Sequence, residues 1–509
     1  MSPTASFPRP KQVFLLTLAI STVLKLWLAV AFPFTGDEAY FYQWGKHPDW
    51  GGFYDHPPMV GWWLWGLQQV SSHPLVLRLP AVLLWIAITL GMMDLFSRLL
   101  PEQSERRWLL GSLFLTLPFT WAFNLITTDT PLILFLFFSG YAFVRAEQEN
   151  KWRWYAASGV LLGLALLSKY FAGLLAITYA IYLLPRRGGI ARVLLVAVCA
   201  LPFMLLNLAW NASHCWNNIL FNLLNRNQDA HFSFLQVAQY FVMLAYLITP
   251  WTAIALWRSV RAGKVSDQEV GGEKITRTVA ALFVVPFSLF LLLSFYKEIG
   301  LHWLLAFVPF VFLFAAVHLR DETLQRHKQW ALWLGLPHLL LVLSLAHLPV
   351  DVFKSLRIHA DIVLNREGKA VVLDLKKDLP ADSTLMTPSY SQSSLLAYHA
   401  QSYLPVFGFG SFHARFDDPI TDFRALDGKN IRIASTRSID AAAWQGFFVH
   451  LTVQERMIDG ARFWVADGEG FRFEPYRAQV LSEIAARFYK VPSWLPLYGG
   501  RFLEMYDFL

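Results

Sequence analysis

Long apolar stretches alternate with short polar ones over the first 350 or so residues of the chain. A helix that crosses a bilayer needs about 20 mostly apolar residues, and the pattern predicts about eleven such spans. They lie near 12–33, 76–97, 108–125, 131–146, 154–168, 170–184, 191–210, 235–257, 278–296, 303–319 and 330–348. The two at 154–168 and 170–184 are short, and a single long, tilted helix is the alternative. The pattern therefore predicts a mainly α-helical, polytopic membrane protein.

Lysine and arginine residues concentrate in alternate polar stretches. With eleven spans, one side of the membrane holds Arg9, Lys11, Arg98, Arg106, Arg107, Arg145, Lys151, Arg153, Arg186, Arg187, Arg192, Arg258, Arg261, Lys264, Lys274, Arg277, Arg320, Arg326 and Lys328. The short loops of the other side hold Lys46, Lys169, Arg226 and Lys297, with Arg78 at a span edge. Because these residues mark the cytoplasmic side, the N-terminus is predicted to be cytoplasmic, and the polar loop 262–276 with it.

The first outward loop, 34–75, is unusual for a segment that leaves a bilayer. It begins with Thr35-Gly36-Asp37-Glu38-Ala39-Tyr40 and continues with Phe53-Tyr54-Asp55-His56-Pro57-Pro58. Ionisable groups at that depth are costly, which makes them candidates for function. The stretch from Met59 to Val70 is apolar and rich in tryptophan but too short to span, and it predicts an amphipathic helix in the interface.

The composition changes near residue 350, which predicts a transmembrane domain over 1–349 and an outer α/β domain over 350–509. Alternating β-branched and aromatic residues predict strands at 370–375, 431–434, 447–453 and 462–465. Helical spacing predicts helices at 440–445 and 478–489.

Composition excludes several other classes of protein. The 509 residues are 55% hydrophobic and only 16% charged, against about 25% charged in soluble domains. The net charge of +7 does not indicate nucleic-acid binding, because the basic residues are distributed by membrane side. Cys199 lies in an apolar run and Cys215 just beyond it, so no disulfide framework is indicated. The first apolar run lacks a small-residue cleavage site, which indicates a retained span.

Four short motifs carry a family resemblance. They are Asp37-Glu38-Ala39-Tyr40, Phe53-Tyr54-Asp55-His56-Pro57-Pro58, Thr128-Asp129-Thr130-Pro131-Leu132 and Ser168-Lys169-Tyr170. Their order and their placement relative to the spans resemble the GT-C glycosyltransferases, in the bacterial branch similar to aminoarabinose transferases and protein O-mannosyltransferases. The resemblance implies a bacterial inner-membrane enzyme with a periplasmic C-terminal domain and a sugar donor linked to polyprenyl phosphate.

In the resembling family, the acid at the position of Asp37 is the proposed general base. Such a donor already has a good leaving group, so the reaction lacks only a base for the acceptor hydroxyl. An inverting displacement needs no second carboxylate, unlike glycoside hydrolysis by two acids. A helix cap is the alternative role for Asp37. The adjacent Glu38 is a second catalytic candidate, or it caps the helix.

Asp55 and His56 precede two prolines, which hold the residue before them extended. Relatives resembling aminoarabinose transferase carry an acid and a lysine at these positions. There the acid helps to bind a metal, and the lysine contacts a lipid phosphate. Here the basic member is His56, so its contact with phosphate depends on protonation. A divalent metal site formed by Asp55, His231 and His302 is a further hypothesis, although their spacing is not local. The alternative is that the histidines make ordinary polar contacts.

Five more outward-facing residues are predicted to bind substrate. Asp129 would position the donor or acceptor, or cap the helix that carries Pro131 near its start. Lys169 would contact a lipid phosphate as a point charge, or extend to the interface. The others are Arg226, whose guanidinium can grip a phosphate with two hydrogen bonds, and Lys297 and His302.

The sequence thus predicts a glycosyltransferase that moves a sugar from a polyprenyl-phosphate donor to lipid A, lipopolysaccharide or another envelope glycan. Protein serine or threonine is the alternative acceptor. No Rossmann glycine motif or P-loop is visible, so no nucleotide cofactor is expected. A transporter or flippase of lipid-linked sugars is the rival class, and it predicts charges near the bilayer midplane and paired halves. A non-catalytic assembly or glycan-binding protein is the second rival.

Overall fold

The computed structural model describes residues 10–227, 230–261 and 270–508, and most of them are helical. The first helices are α1 (Pro10–Ala31), α2 (Gly36–Lys46), α3 (Met59–Gln68), α4 (Pro74–Leu77), α5 (Leu79–Leu99), α6 (Arg106–Thr116), α7 (Pro118–Ala122), α8 (Asp129–Glu149), α9 (Trp152–Leu166), α10 (Gly173–Leu183), α11 (Gly189–Ala212) and α12 (Asn217–Leu223). Then come α13 (Phe234–Ile248), α14 (Pro250–Arg261), α15 (Val270–Ser294), α16 (Leu301–Leu305), α17 (Val308–His318), α18 (Asp321–His347), α19 (His359–Arg366), α20 (Gly368–Lys376), α21 (Tyr390–Ala400), α22 (Ala441–Trp444), α23 (Phe473–Tyr476), α24 (Ser482–Phe488) and α25 (Arg501–Met505).

The chain divides into two compact units. Unit 1 comprises Met1–Phe32, His73–Leu205 and Asp229–Leu345, and unit 2 comprises Pro33–Ser72, Leu206–Gln228 and Ala346–Leu509. The second unit thus draws on three separate stretches of the chain, among them the first outward loop.

Apolar helices make up unit 1, as predicted. Six helical segments among the described residues are long and apolar enough to cross a membrane: Pro10–Ala31, Pro74–Leu99, Asp129–Glu149, Gly189–Ala212, Thr276–Ser294 and Asp321–His347. A seventh span results if α13 and α14, which meet at a bend of 87°, cross together. The multi-pass class is therefore confirmed, but the count of about eleven spans is not.

Breaks in the helices explain why the apolar pattern suggested more spans. The predicted span 108–125 is divided into α6 and α7 at Leu117, whose backbone is extended with φ −66° and ψ 134°. Pro118 follows, and steric clash with a proline ring disfavours the helical conformation for the residue before it. The predicted span 303–319 is likewise divided into α16 and α17. Of the predicted loop 262–276, residues 262–269 lie outside the described residues, and α15 begins at Val270.

A four-stranded sheet forms part of unit 2. Its strands are β1 (Thr384–Met386), β2 (Ile431–Ser435), β3 (Phe448–Ile458) and β4 (Ala461–Phe471). The spatial order is β1-β2-β4-β3, with β1 parallel to β2 and the other pairs antiparallel. The strands predicted at 431–434, 447–453 and 462–465 are confirmed, and so are the helices at 440–445 and 478–489.

The strand predicted at 370–375 is wrong, because this segment belongs to α20. Its buried residues are Gly368, Val371, Val372 and Leu375, which have the spacing of one helical face. Val371 and Val372 are β-branched and favour a strand locally, but burial of that face decides the conformation.

The first outward loop has a helical and tightly packed structure within unit 2. The helix predicted at 59–70 is confirmed as α3. Between α2 and α3 the chain packs against Trp210, and a methyl group on Gly52 would approach its ring to 2.7 Å. Asn207 Nδ2 donates to the carbonyl oxygen of Gly51 at 2.7 Å. The Phe53 ring stacks on Trp44 with centroids 4.2 Å apart, which positions the segment that carries Asp55.

Candidate functional site

Asp37 lies in the first turn of α2, where local hydrogen bonds determine the start of the helix. Thr35 is the N-cap, and its hydroxyl accepts from the Glu38 backbone N–H at 3.3 Å. The Glu38 carboxylate accepts in return from the Thr35 backbone N–H at 3.1 Å. This capping box leaves Asp37 exposed in the first turn of the helix. The structure gives the fully buried Glu38 a capping role.

Tyr390 contacts Asp37 from α21. Its hydroxyl donates to Asp37 Oδ1 at 3.0 Å. The Tyr390 ring meets the rings of Tyr40 and His413 edge to face, with centroids 5.0 and 5.4 Å apart. Burial, and then the Asp37 charge, raises the pKa of Tyr390 well above its ordinary value, so the phenol keeps its proton and remains a donor.

Asp55 is the buried carboxyl group of this site. Its side chain lies 3.5 Å from the Tyr40 hydroxyl, and Asn222 Nδ2 donates to its main-chain oxygen at 3.0 Å. Burial raises the pKa of Asp55 from 3.8 to about 8, with the Asp37 charge adding to the rise and Arg226 opposing it. Asp55 is therefore a neutral acid at pH 7. His56 Nε2 lies 3.9 Å from Asp55 Oδ2.

His413 and Arg226 complete the charged surroundings within unit 2. Burial lowers the pKa of His413. The negative charge of Asp37 raises this pKa and the positive charge of Arg226 lowers it, so the protonation of His413 depends on both neighbours. Ser411 Oγ lies 3.0 Å from His413 Nδ1. The predicted residues Asp37, Asp55, His56 and Arg226 thus fall in one unit, together with three residues that the sequence analysis gave no role.

Those three residues are Tyr40, Tyr390 and His413. Tyr40 belongs to a quoted motif, and its place one helical turn after Asp37 was a usable signal. Tyr390 and His413 belong to no motif, and they come near Asp37 only through the tertiary structure.

The remaining predicted residues fall in unit 1, where Asp129, Lys169 and His302 form a cluster. Lys169 Nζ donates to both carboxylate oxygens of Asp129, at 2.9 and 3.1 Å, and both side chains are buried. His302 Nε2 lies 4.0 Å from Asp129 Oδ2. Lys297 Nζ lies 5.9 Å from the ring centroid of Trp303. Asp129 therefore neutralises the charge of Lys169, and His302 lies beside the same carboxylate.

The residues present do not fit the hypothesised metal site. Over the described ranges, no group of three or more His, Cys, Asp or Glu side chains is arranged to hold a metal ion, so Asp55, His231 and His302 form no such group. His231 is exposed.

Comparisons with known proteins place these features in a family context. Residues 55–210 match the family model for dolichyl-phosphate-mannose-protein mannosyltransferase. No curated protein sequence matches significantly.

Solved structures share the fold. ArnT from Cupriavidus metallidurans in the apo state matches with a TM-score of 0.60 at 15% identity, over 89% of this chain and 97% of that one. The same protein bound to undecaprenyl phosphate matches with a TM-score of 0.59 at 13% identity and the same coverage. The chain therefore shares the fold of ArnT, and this fold and the match over residues 55–210 agree with the GT-C resemblance predicted from the motifs.

Proposed function

We propose that this enzyme transfers a sugar from a polyprenyl-phosphate donor to a hydroxyl group of lipid A, lipopolysaccharide or another envelope glycan. The observation that carries the proposal is the exposed carboxylate of Asp37, held by the Tyr390 hydroxyl at the start of α2. A lipid-linked donor is supported by the name of the matching family and by the ArnT structure that contains undecaprenyl phosphate. The proposed location is the bacterial inner membrane, with a cytoplasmic N-terminus and a periplasmic domain over 350–509.

Asp37 acts as the general base in this proposal. Tyr390 occupies Oδ1, and Oδ2 takes the proton from the acceptor hydroxyl as that oxygen attacks the anomeric carbon. The bond between the anomeric carbon and the phosphate oxygen breaks, and its electron pair leaves with the polyprenyl phosphate. Asp37 then returns its proton to water. A single displacement of this kind inverts the anomeric configuration.

Neighbouring groups assist the base without reacting themselves. Tyr390 orients Asp37 through its hydroxyl, and Glu38 positions it by holding the helix start. Asp55 is protonated at pH 7, so it adds no second negative charge beside the base. In this proposal Asp55 contacts substrate as a neutral hydrogen-bonding group, and His56 also contacts substrate.

Cationic residues are proposed to hold the donor phosphate. In unit 1, Lys169 and His302 lie beside one carboxylate, Asp129, and a phosphate can replace part of that contact. Lys297 is a third proposed phosphate ligand in this unit. In unit 2, Arg226 offers the bidentate geometry that phosphates prefer. No metal ion or nucleotide has a role in this proposal.

The test compares a deletion strain complemented with wild type, Asp37→Asn or Asp49→Asn. Asp49 is the matched control, because it lies in the same loop and its carboxylate is 3.7 Å from His214. Mass spectrometry of lipid A, released oligosaccharides and envelope proteins should show a sugar increment with wild type and Asp49→Asn. Loss of a general base costs about 10²- to 10⁴-fold in rate, so Asp37→Asn should lack that increment.

Each outcome of this test has a definite meaning. A sugar increment found on proteins alone would show that the acceptor is a protein serine or threonine and not a glycan. An undiminished increment with Asp37→Asn would refute the assignment of the base. No change in any glycan or protein mass would favour a transporter or a binding protein.

A further inference from the structure

A polar cavity of about 570 Å³ lies within unit 2, beside the start of α2. Its lining includes Gly36, Ser389, Ser391, Arg437 and Trp444. The volume falls inside the range of about 300–1,000 Å³ that is usual for small-molecule sites. We propose that this cavity binds the acceptor, and that the acceptor is a hydroxyl-rich, uncharged saccharide. The inference rests on the proposed function and specifies its substrate.

The cavity lies next to the proposed base. Gly36 lines it and directly precedes Asp37, while Ser389 and Ser391 flank Tyr390, the donor to Asp37. A methyl group on Gly36 would lie 2.8 Å from Ser391 Cβ, so the starts of α2 and α21 are in close contact there. The cavity is therefore lined by the immediate chain neighbours of the proposed base and of the tyrosine that donates to it, although Asp37 and Tyr390 do not themselves line it.

The chemistry of the walls favours a sugar. Ordinary ligand pockets are mostly apolar with a few polar groups, but most side chains here carry a hydroxyl, amide or charged group. They are Asp361, Asn365, Ser389, Ser391, Gln392, Ser435, Arg437, Ser438 and Asp440. Trp444 adds an aromatic ring, on which the C–H face of a sugar can pack.

Hydrogen bonds hold part of this wall in place. Gln392 Nε2 donates to Thr436 Oγ1 at 2.7 Å, and Thr436 Oγ1 donates to Asp361 Oδ1 at 2.7 Å. Ser389 Oγ and Ser391 Oγ lie 3.1 Å apart. Polar groups that are oriented in advance lose less entropy when a ligand binds, which suits recognition of several hydroxyls at once.

The charges of the lining argue against a strongly charged acceptor, including a charged peptide. They are mixed, because Arg437 lines the cavity together with Asp361 and Asp440. Mixed charges favour an uncharged ligand over a strongly charged one.

Saccharide binding by the full-length protein in nanodiscs, without donor, tests the inference. The probes are immobilised neutral oligosaccharides of hexoses and N-acetylhexosamines, together with serine- and threonine-rich peptides. Ser438→Phe fills the cavity, and Ser402→Phe is the control, because Ser402 is an exposed serine of the same unit that does not line it. We expect wild type and Ser402→Phe to bind a saccharide, and Ser438→Phe to bind at least about tenfold more weakly, which is 1.4 kcal/mol.

Hydrogen exchange of wild type alone provides a readout that does not depend on a variant. The bound saccharide should slow exchange in segments 389–392 and 435–444. Binding of peptides but not saccharides, binding of neither, equal binding by Ser438→Phe, or unchanged exchange would each overturn the inference. Because no donor is present, the binding result is independent of transfer. If Ser438→Phe still transfers sugar and Asp37→Asn does not, only the assignment of the cavity as the acceptor site would be refuted. If wild type binds a saccharide in the cavity but transfers no sugar, only the proposed function would be refuted.

Discussion

Replacing the buried carboxyl group Asp55 with asparagine should make the protein less sensitive to alkaline pH. Burial raises the pKa of Asp55 from 3.8 to about 8. Between these values the folded protein keeps a proton that the unfolded chain has lost, so the free energy of unfolding falls as pH rises from about 4 to about 8 and then levels off. Asparagine has nearly the same shape and no charge, so Asp55→Asn should lose this dependence.

The magnitude follows from the width of the pH window. About four pH units at about 1.4 kcal/mol each give an upper limit of roughly 6 kcal/mol above pH 8. At about 1–2 °C per kcal/mol for a chain of this size, the unfolding temperatures should separate by at most roughly 6–12 °C. At pH 5, where Asp55 is protonated, wild type and variant should differ little.

Thermal unfolding in one detergent, at pH 5 to 9, measures the effect. Asp382→Asn is the control, because it makes the same change at an exposed carboxylate of the same unit. Wild type and the control should lose stability with rising pH more steeply than Asp55→Asn. Parallel curves for Asp55→Asn and wild type would refute the reasoning. A variant that becomes relatively less stable at high pH would show that Arg226 stabilises a charged Asp55.

Two further predictions concern the other contacts of the candidate residues. Tyr390→Phe removes a hydrogen bond to the charged Asp37, and such a bond is worth about 1.5–3 kcal/mol. We therefore expect kcat for the identified donor and acceptor to fall at least about tenfold, with KM unchanged. A raised KM with unchanged kcat would contradict an orienting role for Tyr390. Lys169→Met should lower the free energy of unfolding by about 3–5 kcal/mol, because it removes the cation that donates to both oxygens of the buried Asp129, and Lys169→Met combined with Asp129→Leu should recover much of this loss. Unfolding in detergent measures the stability of Lys169→Met and of the double variant. An unchanged unfolding midpoint for Lys169→Met would show that the Lys169–Asp129 pair contributes nothing to stability.

Local patterns were sufficient for much of the fold. The positions of the apolar helices follow from runs of apolar residues, and the strands at 431–434, 447–453 and 462–465 follow from alternation. The number of spans could not be read in the same way, because a proline break such as that at Pro118 interrupts a helix without interrupting the apolar run. The prediction of a strand at 370–375 was wrong for a related reason, because burial of one helical face outweighs the β preference of its valines.

The motifs alone predicted a class of enzyme and directed attention to Asp37. The start of α2 that carries Asp37 is determined locally, because its capping residues lie within three positions of one another. The residues that surround that carboxylate could not be predicted from the motifs. Tyr390 is 353 residues from Asp37 along the chain, and Lys169 is 40 residues from Asp129. No short-range pattern encodes such contacts, and the burial that keeps Asp55 neutral arises only when separate stretches of the chain pack together. Local hydrogen bonding and hydrophobic periodicity thus determine where helices form and begin, whereas long-range packing decides which groups share a site and which of them are charged.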